Sequence, residues 1–98
     1  MLSSTLFISK VKKIQSYKSI TGKATYINCY VAGDSFHFVR QNTGKAWKLN
    51  LSEAYNAYLN ETFINTPILR NYMSGRVYSP TLGLLIAIKL YNNKGVRN

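Results

Sequence analysis

The stretch Thr25-Tyr26-Ile27-Asn28-Cys29-Tyr30-Val31-Ala32-Gly33-Asp34-Ser35-Phe36-His37-Phe38-Val39-Arg40 decides how this chain folds. Its side chains alternate with period two, and its residue types favour extended backbone. From Ala24 to Ala32, strict alternation puts Ile27, Cys29 and Val31 on one face and Tyr26, Asn28 and Tyr30 on the other. Ala32-Gly33-Asp34-Ser35 is a turn signal, after which Phe36 and Phe38 oppose His37 and Val39. Gln41-Asn42-Thr43-Gly44-Lys45 makes a second turn, and Ala46 to Leu51 places Trp47, Leu49 and Leu51 together. Strands joined by short glycine-containing turns form an antiparallel meander. Upstream, Thr5 to Ile14 mixes apolar residues with Lys10, Lys12 and Lys13 and reads as a further strand, with a loop over Ser16 to Lys23.

Downstream the period changes. Ser52 is a capping residue followed by Glu53, an acid suited to the positive end of a helix dipole. Ala54, Ala57 and Tyr58 have helical spacing, so the helix is predicted to about Thr62. Asn65 and Thr66 precede Pro67, a helix start that leads into Ile68, Leu69, Tyr72 and Met73 and stops at Gly75. Ser79-Pro80 opens a third helix, predicted to reach Asn92 and apolar nearly all round, hence buried. Strands before residue 51 and helices after it indicate an α+β fold in a single small domain, with a meander of three or four strands followed by three helices. The expected partition is 1–51 β-rich, 52–93 helical, and 94–98 a frayed tail.

The 98 residues include 13 bases and only 3 acids, Asp34, Glu53 and Glu61, for a net charge of +10. An excess this large repels itself in the folded state, and a polyanion relieves it. Nucleic acid is therefore the expected partner, with DNA favoured over RNA. The longest apolar run, Leu82 to Leu90, is about half of what a bilayer crossing needs, so no membrane partner and a cytoplasmic location are expected. One cysteine, Cys29, and one histidine, His37, exclude zinc spacing, and three scattered acids give no two-carboxylate or two-metal site. No metal, cofactor or catalytic residue is expected, and the chain reads as a non-enzyme. The remaining catalytic idea is a Cys29–His37 pair across the first hairpin.

Two segments are candidate binding surfaces. Thr66-Pro67-Ile68-Leu69-Arg70-Asn71-Tyr72-Met73-Ser74-Gly75-Arg76 is followed by a proline-started helix with Leu84, Leu85, Ala87 and Leu90. Residues 66–90 resemble the later part of helix-turn-helix domains of the phage-repressor and Cro type, on Gly75, Arg76, Pro80, Leu84, Leu85, Ala87 and Leu90. The resemblance implies that the helix from Pro67 to Met73 enters a major groove, with Arg70 and Asn71 at bases or phosphates and Thr66 and Arg76 flanking them. The same glycine and Ser-Pro would also serve any two packed helices joined by a turn. The second surface is the sheet. The first half carries eight bases, among them Lys10, Lys12, Lys13, Lys45 and Lys48, against the single acid Asp34. Tyr26 and Tyr30, read as sharing a face, could stack unpaired bases of a single strand while lysines meet phosphates. A protein-interaction module is the alternative from another class, either with its basic face on an acidic partner or as a homodimer through Tyr55, Tyr58 and Tyr72.

Overall fold

A computed structural model describes every residue from Met1 to Asn98. The chain opens with helix α1 (Ser4–Lys12), not a strand. The Ser3 side chain accepts from the Leu6 N–H, and Phe7 and Val11, four apart, bury one helical face. Lys10, Lys12 and Lys13 thus belong to a helix and its end rather than to the sheet.

Strands β1 (Tyr17–Lys18), β2 (Thr25–Ala32), β3 (Ser35–Arg40) and β4 (Lys45–Asn50) follow, pairing antiparallel in the order β1-β2-β3-β4. The short β1 lies inside the segment expected to be a loop. The helices are α2 (Leu51–Asn60), α3 (Thr66–Leu69) and α4 (Tyr78–Ala87). The architecture is α+β in one compact body of 33 × 27 × 22 Å, with four helices where three were expected. The cap of α2 is Asn50, whose side chain accepts from the Glu53 N–H at 2.8 Å, two residues earlier than the Ser52 cap expected. Ser52 donates instead to Asp34. The helix expected from Pro67 to Met73 is a single turn that ends at Leu69, and α4 ends at Ala87, with Lys89 just beyond in a left-handed conformation (φ 64°).

The face assignment of β2 changes most. Tyr26 pairs with Arg40 and Ile27 with Val39, yet Tyr30 pairs with His37. Two residues, Asn28 and Cys29, therefore oppose the single Phe38, which is a β-bulge. Asn28 has φ 54°, a left-handed conformation that asparagine tolerates better than most residues. Directly paired residues share a face, and Arg40 and His37 are three apart on β3, so Tyr26 and Tyr30 lie on opposite faces. Tyr26 is buried with Phe36, Phe38 and Leu49 on the face beneath the helices. Tyr30 is 57% exposed and stacks on His37 at 4.7 Å on the other face. Tyr30, not Cys29, is thus the cross-strand neighbour of His37.

The core joins this inner sheet face to Leu51, Ala54, Ala57 and Tyr58 of α2 and to Leu82, Leu84 and Leu85 of α4. α4 approaches β1 closely because Gly83 has no Cβ. One placed there would lie 3.0 Å from the Lys18 carbonyl oxygen and 3.2 Å from the Tyr17 ring. The tail is pinned rather than frayed. Phe63 bridges Val96 and Tyr91 bridges Arg97, and the Ile64 N–H donates to the Gly95 carbonyl at 2.8 Å. The Arg97 guanidinium donates to the carbonyls of Tyr58 and Glu61 and stands 5.0 Å from the Tyr58 ring centroid. No helix is long and apolar enough to cross a membrane.

Candidate nucleic-acid interface

The three acids are used internally, by neutral donors. Asp34 accepts from the Ser52 hydroxyl at 2.7 Å. Glu53 accepts from both the N–H and the hydroxyl of Ser74, which ties α2 to the loop before α4. Glu61 accepts from the Tyr72 hydroxyl, a bond that raises the Tyr72 pKa by favouring the protonated phenol. None of the three lines the largest cleft of the molecule.

That cleft has a volume of about 500 Å³ and opens between the inner face of the sheet and the segments that begin α3 and α4. Lys23, Arg40, Arg70 and Arg76 line it, all of them exposed. Tyr26, Phe38, Trp47 and Tyr78 supply aromatic walls, and Thr66, Ser79 and Pro80 complete the helical side. The geometry follows from local rules. The register that pairs Phe38 with Trp47 puts both on the inner face, and the next inner pair along the hairpin is Arg40 with Lys45. On the opposite wall, Asn65 caps α3 by accepting from the Ile68 N–H at 2.8 Å, and Arg70 follows where the helix stops. The Arg70 guanidinium carbon lies 5.5 Å from the Tyr78 ring centroid. Val77, at the start of α4, supplies no side-chain cap, so first-turn N–H groups of that helix lie beside the cleft without one.

The residues singled out from sequence divide into two groups. Thr66, Arg70, Arg76 and Tyr26 meet in the cleft. Lys45 flanks it, its ammonium 4.6 Å from the Trp47 ring centroid. Asn71 is exposed and does not line the cleft, nor does Lys48, which pairs with His37 on the outer face. Lys10, Lys12, Lys13 and Tyr30 also lie elsewhere, and Lys12 borders a shallow depression with Ser4, Thr5 and Ser9. The sequence places Lys23 and Arg40 only among the eight bases of the first half and Trp47 only on a strand face, and it gives Tyr78 no role, yet all four line the cleft. A register count back from the Gln41–Gly44 turn would have placed Arg40 and Trp47 on one face.

Burial pushes the Cys29 thiol up to about 11, which keeps it protonated at neutral pH. No three of the His, Cys, Asp and Glu side chains gather as a metal site would require. The chain matches no known family model, and neither the curated proteins nor the solved structures contain a significant match to its sequence or its fold.

Proposed function

We propose that the chain is a nucleic-acid-binding domain and that the cleft between the sheet and the starts of α3 and α4 is where it grips the polymer. One observation carries the reading: Lys23, Arg40, Arg70 and Arg76 line one cleft that no acid enters. Four like charges around a small volume repel one another, and a chain of phosphates offsets that repulsion while releasing its own counterions. The single-turn α3 favours this cleft over a recognition helix laid in a major groove, because a groove-reading helix needs several turns of side chains.

The test is fluorescence anisotropy with labelled mixed-sequence oligonucleotides over a salt series. Binding at about 50 mM salt is expected to weaken steeply toward 200 mM. The double variant Arg70→Ala, Arg76→Ala is expected to bind at least about tenfold more weakly and to lower the salt slope by up to about two. Absence of binding at the low-salt end, or full binding by the double variant, overturns the reading. Retention on an acidic protein but not on nucleic acid would favour the protein-interaction alternative.

A further inference from the structure

The cleft is not uniformly charged. Its floor holds Tyr26 and Phe38, which are 3% and 1% exposed, while Trp47 stands at its edge with 37% of its surface open. The charged groups are long side chains at the exposed rim. An apolar, aromatic interior beneath a cationic rim selects a ligand with the opposite layout. That ligand is flat and weakly polar where it enters and anionic where it remains outside.

The two forms of nucleic acid differ on this point. A duplex keeps its bases paired and stacked inside and turns its phosphates outward, so it meets a cationic rim and leaves an aromatic interior untouched. A single strand carries bases free to leave the stack, and base–aromatic stacking is how such strands are commonly held. A cavity of about 500 Å³ is in the range that small organic ligands occupy and is far too narrow to accept the body of a double helix.

We propose that the cleft takes an unpaired nucleotide of a single strand, its base stacked on Trp47 and its neighbouring phosphates on Arg40, Arg70 and Arg76. This rests on the nucleic-acid reading above and adds the form of the polymer and the residue that recognises it. Arg70, held near the Tyr78 ring, serves the phosphate side without leaving the wall. Trp47 lies on the edge strand β4, so its replacement removes a ligand contact at little cost to the core.

The chain has one tryptophan, and its fluorescence reports Trp47 alone. Titration with a short single-stranded oligonucleotide is expected to quench that emission, and the matching duplex is expected to leave it nearly unchanged. Trp47→Ala is expected to weaken single-strand binding about tenfold or more, with duplex binding and the salt slope unaltered and far-UV circular dichroism unchanged. Trp47→Phe should recover part of the loss. A mononucleotide is expected to bind far more weakly than the strand, since it brings a single phosphate unit to several cations. Equal affinity for duplex and single strand with no effect of Trp47→Ala overturns this inference and leaves the nucleic-acid reading standing. A mononucleotide that binds as well as the strand overturns the polymer and makes a free nucleotide the ligand. Absence of binding by every polymer removes both proposals together.

Discussion

Two arginines in this protein stand near tyrosine rings, and they do different things. Arg97 lies 5.0 Å from Tyr58 and donates to two backbone carbonyls, those of Tyr58 and Glu61. Arg70 lies 5.5 Å from Tyr78, exposed at the mouth of a cleft, and has no carbonyl to hold. The ring contact is similar in both. What separates them is the acceptor: a guanidinium that donates to backbone carbonyls holds the chain together, and one that meets no acceptor within the protein is available to an external anion.

Loss of Arg97 is expected to be the largest effect and the clearest way to break this contrast. Arg97→Ala strands the Tyr58 carbonyl, leaves the Glu61 carbonyl with the Tyr91 hydroxyl as its remaining side-chain donor and unpins the tail, and should cost about 2–3 kcal/mol in urea denaturation. Gly95→Ala should cost a comparable ~2 kcal/mol or more, since Gly95 has φ 81° and a Cβ there would come within 2.3 Å of the Ile64 carbonyl oxygen. Neither change touches the cleft, so binding per folded molecule should be preserved. If Arg97→Ala instead weakened binding without loss of stability, the division of labour would be wrong.

Arg70→Ala should show the reverse pattern. Stability is expected to stay within about 0.5 kcal/mol of the parent, because an exposed side chain away from buried features contributes little. Oligonucleotide affinity should fall about three- to tenfold. Asn71→Ala, next to it in sequence, should change neither property measurably, since Asn71 is exposed outside the cleft. Parallel anisotropy and urea curves for the three variants would separate the regions.

Alkaline pH gives a smaller effect that belongs to the packed interior. Burial raises the pKa values of Tyr17 and Tyr91, and the Glu61 hydrogen bond raises that of Tyr72. Cys29 is raised from about 9 to about 11. Each group holds its proton longer in the folded chain than in the unfolded one, so the unfolded state ionises first as pH rises. The associated stability is complete below about pH 9 and declines from there upward. Urea midpoints should therefore be level between pH 7 and about 8.5 and fall progressively above it. A rising midpoint would contradict the burial of these groups.

The meander was legible because Phe36/Phe38 and His37/Val39 alternate without interruption and the turns carry glycine. Helix α1 was missed although its signals are present: Ser3 caps it, and Phe7, Ile8 and Val11 share helical spacing. Its interspersed lysines gave the segment a weak alternation that competed with them. The expected placement of Tyr26 beside Tyr30 failed at Asn28, because a bulge depends on register with a partner strand and leaves almost no local trace. The cleft was only half legible. Thr66, Arg70 and Arg76 are close in sequence, whereas Lys23, Arg40 and Trp47 come together with them only when the sheet folds against α4.

The bulge at Asn28 also bears on how this chain could be matched to others. With residue 28 omitted, the alternation Tyr26, Ile27, Cys29, Tyr30, Val31 runs unbroken, and each side chain keeps the face implied by its partner on β3. Asn28 behaves as an insertion that the sheet has absorbed rather than as part of the repeat. A related chain lacking it would keep both faces of the strand, while its alignment to this one would carry a one-residue gap inside a strand, where gaps are ordinarily penalised most. Ancestry at this position is better traced through strand pairing than through sequence length.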